Sequence, residues 1–193
     1  MKTIRTTANK YNVSPVNAEI KHNKIIPGIS GKEINYVETY TKMKQYGTYN
    51  EILTTLQETK PTVSINNYYD KYVISGNPIK RSVALVFKLE NDAFKEILNI
   101  LNNNNVSGTF FIDGLYLENN SKTINSLTNH ELELLNYNNS YDEIYFSSSK
   151  DYLESLTNRN LKYCYTEKED IELINLCQKQ KLHTVIPTIQ IKT

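Results

Sequence analysis

From Ser82 onward, short apolar runs alternate with amphipathic stretches, and this alternation constrains the fold more than any other feature of the chain. The pattern predicts strand 83–87, helix 92–103, strand 107–112, helix 119–128, strand 131–135, helix 149–157, strand 161–164, helix 168–180 and strand 183–189. Strands and helices in strict alternation imply a parallel sheet with right-handed crossovers. Val83-Ala84-Leu85-Val86-Phe87 and Thr184-Val185-Ile186 are nearly continuous apolar runs, as strands covered on both faces require. In the last helix Ile171, Ile174 and Cys177 recur at helical spacing, with Glu169, Glu172 and Lys179 on other faces. The fold class is α/β.

The segment ahead of this pattern reads differently. Residues 1 to about 33 are polar and interrupted by Pro15, Pro27, Gly28 and Gly31, which predicts irregular structure. Asn35 is placed to cap a helix that Gly47 stops, and residues 49–59 read as a second helix stopped by Pro61, so the two form an expected helical hairpin. Residues 63–65 and 72–75 are short extended runs, the second ending in the turn signal Gly76-Asn77-Pro78. The chain therefore divides into an N-terminal extension, 1–79, and an α/β domain, 80–193.

A chain of 193 residues can bury a core without a metal or disulfide framework. Its formal net charge is +1 and its Lys and Arg are dispersed, which leaves no footprint for nucleic acid. No stretch approaches the roughly 20 apolar residues of a membrane span. Cys164 and Cys177 are the two cysteines; one falls at a strand end and the other on an apolar helix stripe, and they are expected to be packed thiols rather than a disulfide. The three histidines, at 22, 130 and 183, show no paired spacing and suggest no metal site.

The run Ser82 to Asp113 ends in Gly108-Thr109-Phe110-Phe111-Ile112, and in this it resembles the opening of the polysaccharide deacetylases of carbohydrate esterase family 4. In that family the first strand ends in Thr-Phe-Asp-Asp-Gly, one Asp being the general base and the next a metal ligand, and the second strand reads Ala-Thr-Phe-Phe-Val. Here the second strand is kept, but the first ends Val86-Phe87-Lys88-Leu89-Glu90. The family's Gly-His-Glu-Ile stretch, which carries two further His ligands, is similar to Asn129-His130-Glu131-Leu132, and the ligand positions then fall on Leu135 and Asn139, with Leu89 in the Asp ligand position. The Arg-Pro-Pro-Tyr-Gly motif resembles Lys162-Tyr163-Cys164-Tyr165-Thr166.

The resemblance covers residues 80 to 193. It implies a partial or distorted parallel β/α barrel, because five C-terminal strands cannot close a barrel of the usual size. It also implies a groove at the strand ends, with Lys88, Glu90, His130, Tyr137, Lys162 and Tyr165 as its candidate vestigial residues. No catalytic residue, metal ligand or cofactor is expected, although the related enzymes use zinc. Among the 15 tyrosines, Tyr137, Tyr141, Tyr145, Tyr163 and Tyr165 fall in segments that would frame the groove, where rings can stack on sugars. The implied function is a catalytically inactive deacetylase-like module of the bacterial cell envelope, extracytoplasmic, that binds peptidoglycan or another glycan or acts as a scaffold. The alternatives are an active deacetylase with an atypical site, and a protein interaction module docking a partner or a second copy through residues 35 to 59.

Overall fold

A computed structural model describes residues 1–89, 94–118, 127, 129–136 and 140–191, with the backbone alone for Phe94 and Leu117. In chain order the strands are β1 (Glu19–Lys21), β2 (Lys24–Ile26), β3 (Gly31–Ile34), β4 (Leu56–Thr59), β5 (Tyr72–Val73), β6 (Val86–Leu89), β7 (Thr109–Ile112), β8 (Glu131–Leu135), β9 (Tyr163–Tyr165) and β10 (His183–Val185). The helices are α1 (Lys2–Thr7), α2 (Tyr36–Tyr46), α3 (Phe94–Asn103), α4 (Gly114–Glu118), α5 (Glu143–Thr157) and α6 (Ile171–Lys179). Two compact units emerge: Met1–Glu19 with Pro27–Asn67, and Ile20–Ile26 with Tyr68–Thr193.

In the first unit the leading segment is ordered rather than irregular. Its chain folds back on itself through isolated antiparallel bridges, Val13 with Lys32 and Val16 with Ile29. The glycines that suggest irregular structure serve close approach instead: a Cβ on Gly31 would lie 2.1 Å from the Val13 carbonyl oxygen, and one on Gly28 2.4 Å from that of Val16. α2 forms as expected, with Asn35 Oδ1 accepting the Glu38 N–H at its start and Gly47 at φ +71° ending it. The second half of the expected helical hairpin is not a helix. Asn50 caps one 3₁₀ turn, Glu51–Leu53, and β4 then pairs antiparallel with β3, Leu56 opposite Ile34. β-Branched Thr54, Thr55 and Thr59 favour that strand, and the partner strand outweighs the helical propensity of the neighbouring residues. Ile4, Ala8, Ile34 and Met43 make a small core.

The second unit is built on an eight-stranded sheet of order β1-β2-β5-β10-β9-β8-β7-β6. From β2 through β6 neighbouring strands all pair parallel, in line with the α/β expectation. Register runs Leu89 to Ile112 to Leu134 to Cys164 to Thr184 to Tyr72 across six strands. On that face Leu98 and Leu101 of α3, Phe146 and Leu153 of α5, and Leu173 and Leu176 of α6 pack against Leu89, Phe110, Ile112 and Leu134. Each such side chain, fully buried, contributes about 1.5–3 kcal/mol.

Three local differences from the sequence pattern have physical causes. α5 begins at Glu143 because Asp142 Oδ1 accepts the N–H groups of Ile144 and Tyr145. β10 stops at Val185, two residues before Pro187, which has no N–H to give a ladder. Tyr72–Val73 and Lys24–Ile26, which the sequence pattern leaves in the extension, are strands of the main sheet; two and three residues long, they pair with each other, and β5 pairs on its other side with β10, more than a hundred residues away. The expected helix 119–128 lies almost wholly outside the described residues.

The cysteines are also not free thiols. Cys164 on β9 and Cys177 on α6 are joined in a disulfide, their Cα atoms 6.4 Å apart and both residues fully buried. The docking of α6 onto the sheet brings the two together, within the span a disulfide can bridge.

Candidate functional site

The carboxyl ends of parallel strands are where a β/α sheet presents its chemistry. At those ends β6 carries Lys88 and Leu89, β7 leads into Asp113, β8 ends in Leu135, and β9 ends in Tyr165. Leu89 is 2% exposed and Leu135 4%. Leu89 belongs to the helix-covered core, while Leu135 pairs in register with Tyr165 on the opposite face. Both stand where the resemblance places metal ligands, and neither carries an atom that can bind a metal. The donor set therefore does not fit a metal of the deacetylase kind, and no chemical step is derived through one. Among the described residues no group of three His, Cys, Asp or Glu side chains could share a metal ion. Asn139 lies outside the described residues.

Lys88, aligned with the family's base, makes an ion pair with Glu167, Nζ to Oε1 2.9 Å. A partly exposed pair of this kind contributes about 0–1 kcal/mol. Phe111 and Tyr165 meet with ring centroids 5.3 Å apart, so Lys88, Phe111, Leu135 and Tyr165 share one sheet face by register. Lys88 and Tyr165 are thus brought to the same end of the sheet. His130 and Lys162 are not. His130 precedes β8 and Lys162 precedes β9, at the amino ends of the strands, where His130 Nδ1 accepts the Gly108 N–H at 3.1 Å. Glu90 and Tyr137 lie outside the described residues.

Of the other framing tyrosines, Tyr145 donates to Asp113 Oδ2 at 3.0 Å and Tyr141 donates to Asp170 Oδ2 at 2.6 Å. The second bond holds the Tyr141 hydroxyl protonated, its pKa pushed up to about 12. Asp113, 1% exposed, also accepts the Tyr116 N–H and so ties the start of α4 to α5. An acidic residue directly after a parallel strand is a signal the sequence offers.

Two titratable groups of the sheet, Glu133 and His183, lie on the same face as Tyr163. Glu133 Oε2 accepts the backbone N–H groups of Lys162 and Tyr163, each at 2.8 Å. Burial raises its carboxyl from 4.5 to about 7, against the pull of those two N–H groups. His183 lies stacked on Tyr69, ring centroids 4.3 Å apart, and burial lowers its imidazole from 6.5 to about 4. Neither is marked by a motif. An acid on the apolar strand Glu131-Leu132-Glu133-Leu134-Leu135 is the only hint.

This architecture, a largely parallel sheet flanked by helices with the motif strands side by side, is the fold of the family 4 carbohydrate esterases. It is similar to wild-type BA3943, a family 4 carbohydrate esterase pseudoenzyme from Bacillus anthracis, with a TM-score of 0.65 and 21% identity over 96% of this chain and 71% of that one. A family 4 carbohydrate esterase from Bacillus anthracis matches 58% of this chain and 62% of its own, with a TM-score of 0.50 and 19% identity. In sequence the chain is 33% identical over 136 residues to the uncharacterized protein YlxY of Bacillus subtilis (strain 168), a match taking in 68% of this chain and 43% of that protein. The chain thus spans less than half the length of this curated relative. No protein-family model matches it.

Proposed function

We propose that this chain is a catalytically inactive deacetylase-like module that binds or scaffolds peptidoglycan or another glycan in the bacterial cell envelope. The observation that carries the reading is the pair of buried leucines, Leu89 and Leu135, at positions where a deacetylase needs metal ligands. Similarity to a solved pseudoenzyme, of which a mutant is described as having restored enzymatic activity, supports it. The disulfide supports an extracytoplasmic location, since such bonds persist in oxidising compartments. No helix among the described residues is long and apolar enough to cross a membrane.

The test is co-sedimentation of the purified chain with peptidoglycan sacculi, and with chitin as comparison, in chelator and in added zinc. Chelator-resistant binding is the expected result. Failure to bind either polymer overturns the glycan role, and zinc-dependent release of acetate from an acetylated glucosamine oligomer overturns the inactive assignment.

A further inference from the structure

At the amino ends of β6, β7 and β8, opposite the ends where the deacetylase groove would lie, an open cleft of about 290 Å³ is lined by Val83, Leu85, Thr109, His130, Glu131 and Arg159 among others. Two unlike charges face this cleft unpaired with each other. Arg159 has no ion-pair or hydrogen-bond partner among the described residues, and the hydrogen bond of Glu131 is to the Thr109 hydroxyl, at 3.3 Å. His130 also lines the cleft. It is 4% exposed, its Nδ1 accepts the Gly108 N–H, and its proton therefore sits on Nε2, a buried donor with no hydrogen-bond partner. Its ring meets Phe110 edge to face, which offers an N–H a weak partner at most. One wall is apolar and open: Val83 is 86% exposed and Leu85 40%.

We propose that this cleft binds a small zwitterion, a free amino acid or dipeptide with an apolar side chain. Its carboxylate meets Arg159, its ammonium meets Glu131, and its side chain lies along Val83 and Leu85. A cleft of this volume stands at the lower end of the size usual for small-molecule sites. The role is separate from the proposed glycan surface, because it uses the other end of the strands.

The test is titration of the full chain with L-leucine and L-alanyl-L-leucine, followed by NMR shifts of the Gly108 and Thr109 amides and by calorimetry. N-acetyl-L-leucine, which lacks the ammonium, and L-leucinamide, which lacks the carboxylate, are the comparisons. The zwitterions should bind with Kd of about 1 mM or tighter and each blocked compound at least about tenfold more weakly. Arg159→Gln should abolish discrimination against the amide alone, and Glu131→Gln discrimination against the acetylated compound alone; both residues are exposed, so both variants should fold. Absence of binding by the zwitterions, equal binding by the blocked compounds, or unchanged discrimination in the two variants overturns the proposal.

Discussion

Replacing Glu133 with Gln should stabilise the protein above neutral pH and leave it nearly unchanged in acid. Glu133 is 6% exposed, and burial lifts its carboxyl from 4.5 to about 7. A carboxyl whose folded pKa lies above its unfolded one keeps its proton in the folded chain after the unfolded chain has released it. Stability that is fully present below pH 4.5 is therefore lost as pH rises through 7. At about 1.4 kcal/mol per pH unit, the loss is about 3 kcal/mol. Gln keeps an oxygen to accept the Lys162 and Tyr163 N–H groups and carries no charge to desolvate. His183 acts in the opposite sense: lowered from 6.5 to about 4, it stays neutral in the folded chain while the unfolded chain takes up a proton, so about 3 kcal/mol is lost as pH falls through that window. Between pH 4.5 and 6.5 the two slopes oppose each other, and the urea midpoint of the wild-type chain should be nearly flat. In Glu133→Gln the midpoint should instead climb across that window and stand above wild type at about pH 8. A stability difference between the two proteins that is the same at about pH 4.5 and about pH 8 would refute the reasoning, because it would mean Glu133 titrates as an exposed carboxylate does.

The disulfide, closing a sequence separation of 13 residues, should contribute about 3 kcal/mol, so the double variant Cys164→Ala/Cys177→Ala should unfold at clearly lower urea, and native protein should yield no free thiol to a titrant. Leu89→Ala should cost about 2–5 kcal/mol through the cavity left in the core, read as a lowered urea midpoint; a loss well under that range would place Leu89 at a yielding surface instead. Lys88→Met should cost less than about 1 kcal/mol, since the Glu167 pair is half in solvent; a double-mutant cycle with Glu167→Gln measures the coupling. Asn35→Ala should cost about 1 kcal/mol by removing the cap of α2, visible as a shift of the thermal midpoint.

The parts of the fold legible in the sequence are those whose signal is local. β7 and β8 read as apolar runs, and α3 and α6 read because Leu98 and Leu101, or Ile174 and Cys177, repeat at helical spacing and end in the core. α5 was half hidden, since Ser147, Ser148 and Ser149 carry little helical periodicity and the start depends on the Asp142 side chain. β5 and β2 are not legible as sheet strands, because two- and three-residue pieces become strands only by pairing with each other and, for β5, with β10. At the site, the loss of ligands at Leu89 and Leu135 could be read by alignment alone. The buried state of Glu133 and His183 could not, because a residue's burial is decided by neighbours distant in sequence. The disulfide escaped for the same reason: its cysteines look like ordinary core residues until α6 is laid on the sheet.

The strand order has a consequence for how the chain is made. β5 lies between β2 and β10, with Tyr72 in register with both Lys24 and Thr184. Strands β6 to β9 can be added to one another in the order they leave the ribosome. β2 and β5, though released early, have no seat in that sheet until Thr184 emerges, 112 residues after Tyr72 (184 minus 72). At about 5–20 residues per second that is a wait on the order of ten seconds. During it Val73, buried in the finished protein, has Ile25 of β2 on one side and no strand on the other, where Val185 will lie. For that interval the early part of the chain must stay soluble by its own polar residues or be held by another protein, so this sheet makes the nascent chain a client of whatever guards unfinished sequences in its compartment.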